Sequence, residues 1–173
     1  PVTGGTPGGT PAPGTGGTSG DTSGGTSEVP STVITPEPVG ISAADKLPVF
    51  FASIPFLNGG NNNDSLIGTN DNNRIAGLSG RDTLRGLLGE DYLNGGEGDD
   101  SIFGNQGADY LDGGKGNDFI FGGEGNDLAS GGLGNDHIQG NLGNDTLIGN
   151  ADNDTLYGNA GSDVVEGNDG NDI

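Results

Sequence analysis

The sequence predicts an all-β solenoid in which glycine-rich turns and short strands alternate every nine residues. Three observations predict it: glycine recurs at the first place of a nine-residue period, aspartate at the sixth and an apolar residue at the eighth. Counted from Gly59, the period runs to Ile173 without insertion, through twelve full copies and a seven-residue thirteenth. A repeat this short has no core of its own, so neighbouring copies must stack.

The composition excludes several other classes of protein. Glycine accounts for 39 of the 173 residues, hydrophobic residues for only 28%, and the formal charge is −20. Such a chain buries too little apolar surface to offset its ordering entropy unless a bound cation adds free energy to folding. The acidity argues against a nucleic-acid partner. No apolar run approaches the ~18 residues of a membrane span, and without cysteine there is no disulfide or thiolate metal site.

Two segments precede the repeats. Residues 1–40 are a Thr/Pro/Gly-rich low-complexity stretch, which predicts a flexible linker or, as the alternative, an O-glycosylated stalk with glycans on its threonines. Residues 41–58 are apolar and hold three phenylalanines, while Pro48 and Pro55 exclude a regular helix. We expect this segment to cap the open end of the array. A joint to a neighbouring subunit is the alternative.

Within a repeat such as GGKGNDFIF (113–121), the first six residues are typical of a turn and the last three of a strand. Gly113, Gly114 and Gly116 allow positive φ and close backbone approach. Side chains alternate along a strand, so only the middle residue of the triplet, Ile120, points inward. The predicted core is therefore the column of eighth residues: Leu66, Ile75, Leu84, Leu93, Ile102, Leu111, Ile120, Ala129, Ile138, Leu147, Leu156 and Val165.

The sixth place predicts a cation site. Aspartates at equivalent positions of stacked turns repel one another unless a hard dication bridges them. Ca²⁺ takes 6–8 oxygen ligands from carboxylates and backbone carbonyls, whereas Mg²⁺ demands a stricter octahedron. No histidine or cysteine recurs, which disfavours zinc and copper. The predicted carboxylate ligands are Asp64, Asp82, Asp91, Asp100, Asp109, Asp118, Asp127, Asp136, Asp145, Asp154, Asp163 and Asp172.

The repeats GGEGNDLAS (122–130), GGLGNDHIQ (131–139) and GNLGNDTLI (140–148) resemble those of RTX proteins, the hemolysin-type calcium-binding family. The resemblance implies a right-handed parallel β-roll, a β-solenoid of nonapeptide repeats with two repeats per coil and Ca²⁺ between copies two apart. Thirteen turns then hold up to about 11 ions, with weaker sites where Asn73, Thr69 and Asp71 depart from the pattern. The turn glycines expected at these sites are Gly95, Gly98, Gly113, Gly116, Gly122, Gly125, Gly131 and Gly134.

The same resemblance implies a secreted bacterial protein, extracellular or on the cell surface, that is unfolded in low cytosolic calcium and folds outside. One hypothesis is a calcium-binding structural protein of the cell surface, a surface layer or a filament, with end-to-end self-association. The alternative is a calcium-folded accessory module of a secreted RTX toxin, protease or lipase. We expect no enzyme activity, because the repeat positions assemble no Ser–His–acid constellation and the single histidine, His137, takes an outward place.

Outward-facing aromatic residues are a further feature of the array. If copies two apart stack, Tyr92, Tyr110 and Leu128 fall in one column, and Phe103, Phe119 and Phe121 cluster on the opposite sheet. We expect these side chains to form cross-strand ladders that stabilise the sheets. An interaction surface is the alternative.

Overall fold

The computed structural model describes residues 56–173, and every regular element in that range is a β-strand. The described residues contain no helix, and therefore none long and apolar enough to cross a membrane. The strands in chain order are β1 (Phe56–Asn58), β2 (Ser65–Ile67), β3 (Arg74–Ser79), β4 (Thr83–Leu88), β5 (Tyr92–Glu97), β6 (Ser101–Gln106), β7 (Tyr110–Lys115), β8 (Phe119–Glu124), β9 (Leu128–Leu133), β10 (His137–Leu142), β11 (Thr146–Ala151), β12 (Thr155–Ala160) and β13 (Val164–Asp169).

Odd- and even-numbered strands form two separate sheets. The odd strands make a seven-stranded sheet in the order β1-β3-β5-β7-β9-β11-β13, and the even strands make a six-stranded sheet. All pairings are parallel, and partners are eighteen residues apart, as in Leu93 with Leu111 and Ile102 with Ile120. A chain that alternates between two parallel sheets and closes one coil every two repeats is a parallel β-roll. The prediction of an all-β, parallel solenoid of nonapeptide repeats is confirmed.

Most strands are longer than the predicted triplet. From β3 onward each strand has six residues, the last three of one repeat and the first three of the next. The turn is correspondingly tighter. Positive φ occurs at the second and fourth places, as at Gly114 (φ 104°) and Gly116 (φ 132°), and Gly113 at the first place is not among the positive-φ residues. The first-place glycine is therefore required for a reason other than backbone conformation.

The eighth residues form the core, as predicted. Ten of the twelve are buried in one continuous column between the sheets, from Ile75 to Leu156, and Leu66 packs against them while partly buried. Val165 in the last strand is 47% exposed. Leu66 and Val165 are less buried because each stands in an end strand of its sheet and has a neighbour on one side only.

The segment that precedes the repeats is described only in part. Residues 56–58 form β1, which pairs with β3 through Phe56–Arg74 and Leu57–Ile75 and so extends the seven-stranded sheet by one strand. The stalk predicted for 1–40 and the remainder of the cap predicted for 41–58 lie outside the described residues. Both roles stay predictions.

The predicted aromatic columns are present. Tyr92 and Tyr110 stack with their ring centroids 4.9 Å apart, and Phe103 and Phe121 do so at 5.2 Å on the other sheet. The two tyrosines are 3% and 7% exposed, so they are buried rather than on an open outer face as the sequence suggested. Phe119, in contrast, is 52% exposed.

Candidate metal centre

The sixth-place residues lie in two rows that run along the solenoid. Coils stack in register, so members of a row are eighteen residues apart and follow the ~4.8 Å spacing of the strands. The first row is Asp64, Asp82, Asp100, Asp118, Asp136, Asp154 and Asp172, and the second row is Asn73, Asp91, Asp109, Asp127, Asp145 and Asp163.

One carboxylate oxygen of each pair joins successive coils. The backbone N–H of Asp82 donates to Oδ1 of Asp100 at 2.7 Å, and the N–H of Asp100 donates to Oδ1 of Asp118 at 2.8 Å. The pattern repeats six times in the first row and five times in the second. These eleven bonds fix the side-chain rotamers and leave Oδ2 for another partner.

The second carboxylate oxygen is left without a hydrogen bond along most of both rows. A buried anionic oxygen that has lost water and gained no donor is unfavourable by several kcal/mol. Nine such atoms at equivalent positions indicate that a positive ligand belongs there. In the described part of the chain, these buried, unpartnered Oδ2 atoms are those of Asp82, Asp91, Asp100, Asp109, Asp118, Asp127, Asp136, Asp145 and Asp154.

The electrostatics of the rows give the same indication. Burial, with a smaller contribution from the neighbouring carboxylates of Asp118 and Asp154, raises the pKa of Asp136 to about 8, although the backbone hydrogen bond from Asp118 opposes the rise. Burial likewise raises the pKa of Asp100 and Asp109 to about 7. Several carboxylates of metal-free rows therefore have a pKa near neutral pH, and a bound cation would displace the protons that they hold there.

First-place glycines make room for the carboxylates. A Cβ on Gly95 would overlap Oδ2 of Asp100 and lie 2.6 Å from the carbonyl oxygen of Gly113 in the next coil. The space beside this glycine therefore holds a carboxylate oxygen and a backbone oxygen from successive coils. Equivalent overlaps with the aspartate five residues later occur at Gly113, Gly122 and Gly131.

Fourth-place glycines bring a second set of backbone oxygens towards the next coil. Gly98, Gly116, Gly125 and Gly134 all have positive φ, between 119° and 139°. A Cβ on Gly98 would overlap the carbonyl oxygen of Gly80, eighteen residues earlier, and the other three show the same contact with their own predecessors. All eight predicted glycines thus lie in the turns that carry the aspartate rows. Their role as ligands stays a prediction.

The donor set fits a hard cation. Between residues 56 and 173, no three His, Cys, Asp or Glu side chains converge on one point, so a site made of side chains alone is not present there. Aspartates of successive coils together with backbone carbonyls give an all-oxygen set, which calcium prefers and zinc does not. His137 lies on the outer face beside Phe119, with the ring centroids 5.7 Å apart.

One buried acid was missed in the sequence. Asp112 is fully buried at the ninth place of its repeat and accepts a 2.8 Å hydrogen bond from Nδ2 of Asn94. Burial raises its pKa to about 7. Its position in the repeat could have drawn attention to it, because Asp112 and Glu166 are the acidic residues at the ninth position of these repeats.

Comparison with known proteins gives one family match. A family model for the RTX calcium-binding nonapeptide repeat (4 copies) matches residues 58–93, 67–102, 85–120, 103–138, 121–156 and 139–173. These overlapping matches run from residue 58 to residue 173, which is more than half of the chain. The comparison with curated proteins finds no match.

Proposed function

Because this chain belongs to the RTX calcium-binding nonapeptide repeat family, we propose that it is a calcium-binding extracellular structural protein whose β-roll folds when Ca²⁺ binds between its coils. The observation that carries the proposal is the pair of aspartate rows with nine buried, unpartnered carboxylate oxygens. Eleven neighbouring pairs set the upper limit on bound ions. The aspartates of both rows and the carbonyls of the turn glycines would hold them.

Calcium supplies what the chain lacks for folding. One apolar side chain in nine forms the core, while the chain carries 25 acidic residues against 5 basic ones. Stacking the coils brings like charges within a strand spacing of one another, which opposes folding. A dication between coils turns that repulsion into attraction, and its binding free energy becomes part of the folding free energy.

The extracellular assignment follows from the calcium requirement. RTX repeat proteins are typically secreted bacterial proteins, and their repeats are typically structural and calcium-binding rather than catalytic. A protein that needs millimolar calcium stays unfolded in a cytosol kept low in calcium. It folds only after it reaches the outside, which fits a role on or beyond the cell surface.

The finer proposal of a filament or surface-layer subunit rests on the repetition of the coils. Strands of successive coils pair in parallel and in register every eighteen residues, and the same pairing between two copies would give end-to-end association. Glycans on the threonines of residues 1–40 are a separate proposal, and those residues lie outside the described range.

The decisive experiment compares circular dichroism and sedimentation of the chain in EDTA, in millimolar Mg²⁺ and in millimolar Ca²⁺. We expect β structure in calcium only. Sedimentation in calcium then separates a self-assembling structural protein from a monomeric accessory module of a larger secreted protein. If EDTA or Mg²⁺ gives the same β signal, calcium does not drive folding and the proposal is wrong.

A further inference from the structure

One turn of the second row closes differently from the others. Asn73 replaces aspartate there, and its Nδ2 donates hydrogen bonds to Oδ1 of Asp91 at 2.8 Å, to the carbonyl oxygen of Thr69 at 3.3 Å and to that of Asp71. Its Oδ1 accepts hydrogen bonds from the backbone N–H of Thr69 at 3.0 Å and from the Thr69 hydroxyl at 3.1 Å. Both ends of the amide are satisfied within the turn and its neighbour.

The partners of Nδ2 are the oxygen types that calcium binds. Thr69 and Asp71 occupy the second and fourth places of the repeat and contribute backbone carbonyls, while Asp91 contributes a carboxylate oxygen from the next coil. An NH₂ group carries partial positive charge and two hydrogens, so it can donate to these oxygens from the position between them. Oδ2 of Asp91 takes no part and stays without a hydrogen bond, which leaves it for the pair that Asp91 forms with Asp109. In the other turns the sixth residue brings another anionic oxygen instead, and the set then requires a cation.

The first turn of the other row provides a direct comparison. Oδ2 of Asp64 accepts a 2.7 Å hydrogen bond from the N–H of Gly60, the second residue of its repeat. Oδ1 of Asn73 makes the same bond with the N–H of Thr69. The side chains of Asp64 and Asn73 therefore have the same orientation within their turns. Where Asp64 has its second carboxylate oxygen, Asn73 has a hydrogen-bond donor.

We propose that the Asn73 amide takes the place of a calcium ion between Asn73 and Asp91, so that this pair binds no metal. The inference rests on the proposed calcium binding of the other pairs. It gives one ion fewer than the eleven pairs allow. It also replaces the sequence expectation of a weakened calcium site at this turn with a turn that hydrogen bonds close without metal.

The test exchanges the chemical group by which Asn73 differs from the aspartates of both rows, its side-chain NH₂. Asn73→Asp replaces the donor by an oxygen and should create a calcium site. Asn72→Asp adds the same charge one residue away, at a partly buried side chain whose Oδ1 accepts from the N–H of Glu90 and which belongs to neither row. Asp64→Asn makes the opposite change in the first row and keeps the test usable if Asn73→Asp does not fold.

Native mass spectrometry of the full chain in calcium counts bound ions one by one. Relative to the natural sequence, we expect one more ion in Asn73→Asp, one fewer in Asp64→Asn and the same number in Asn72→Asp. Equal counts in the natural chain and a folded Asn73→Asp variant would overturn the proposal, and so would an unchanged count in Asp64→Asn. A natural chain that takes up no calcium at all would instead overturn the proposed function.

Discussion

Replacing Gly113 by alanine isolates the steric role of the first-place glycine. Gly113 is not a positive-φ residue, so its backbone can accept alanine. The added Cβ, however, would overlap Oδ2 of Asp118 and lie 2.5 Å from the carbonyl oxygen of Gly131 in the next coil. That carbonyl belongs to β9, which is paired in register with β7, so it has little freedom to move. Asp118 is held as well, because its Oδ1 accepts from the N–H of Asp100.

The expected loss follows from these contacts. Overpacking a tight site destabilises by about 1–3 kcal/mol, and a displaced Asp118 carboxylate loses a hydrogen bond of about 0.5–1.5 kcal/mol. Alanine offsets roughly 0.4–1 kcal/mol of this by restricting the unfolded chain. The net loss should be about 2 kcal/mol before any calcium is lost, at the centre of a range of roughly 0.5–4 kcal/mol. With a urea m-value of about 1–3 kcal/mol/M, the unfolding midpoint should fall by about 1 M.

Urea unfolding in saturating calcium, followed by far-UV circular dichroism, measures this loss. The matched control is Gly60→Ala, because Gly60 also lacks positive φ and a Cβ there would meet only Oδ2 of Asp64, at an ordinary 3.8 Å. The control should unfold at the natural midpoint or slightly above it. Equal midpoints for the two variants would show that the first-place glycine is not a steric requirement. The claim that this glycine makes room for the aspartate carboxylate would then be wrong.

Three further changes test other parts of the structure. Asp109→Asn removes a charge from two neighbouring pairs of the second row, so a calcium titration followed by circular dichroism should show folding at higher calcium; an unchanged midpoint would contradict the row as a binding site. Ile120→Ala should destabilise by about 2–5 kcal/mol in urea, and Val165→Ala, at the same place of a repeat but 47% exposed, by under about 1 kcal/mol; similar losses would argue against the central column as the core. In EDTA, lowering the pH from about 8 to 4 should promote β structure, because burial holds the pKa of Asp136 at about 8 in the fold against 3.8 ordinarily. The folded chain then binds more protons than the unfolded chain in that window, so stability falls as pH rises, and a β signal that weakens on acidification would refute this.

Much of the fold could be predicted because the repeat restates one local rule thirteen times. Glycine marks the turn, and the apolar eighth residue marks the inward face of a strand, so Ile120 was placed in the core from its place in the repeat alone. The positions at which the strands end were harder to predict. The period does not show that residues such as Gly122 and Gly123 also join the ladder, because glycine has low strand propensity and the pairing depends on the coil eighteen residues away.

The candidate site also has a part that the sequence predicted and a part that it did not. The aspartates were identified because a recurring acid at one place of a stacked repeat must meet its own copies. Which oxygen stays free was not predictable, since the backbone N–H of the preceding coil selects Oδ1. Of the two properties that the sequence allowed at Gly113, positive φ and close backbone approach, the structure shows the close approach. This glycine is required by a carboxylate and a carbonyl that only stacking brings together.

By itself, the sequence determined the period, the inward column and the recurring acid, and it predicted a cation, because each follows from one repeat or from its simple repetition. The tertiary structure decided what happens between coils: which carboxylate oxygen is hydrogen-bonded, which glycine lies against the other oxygen, and how the Asn73 amide donates to Oδ1 of Asp91. The physical reason is the separation along the chain. Contacts across eighteen residues depend on distances and hydrogen-bond directions that exist only once two coils have stacked.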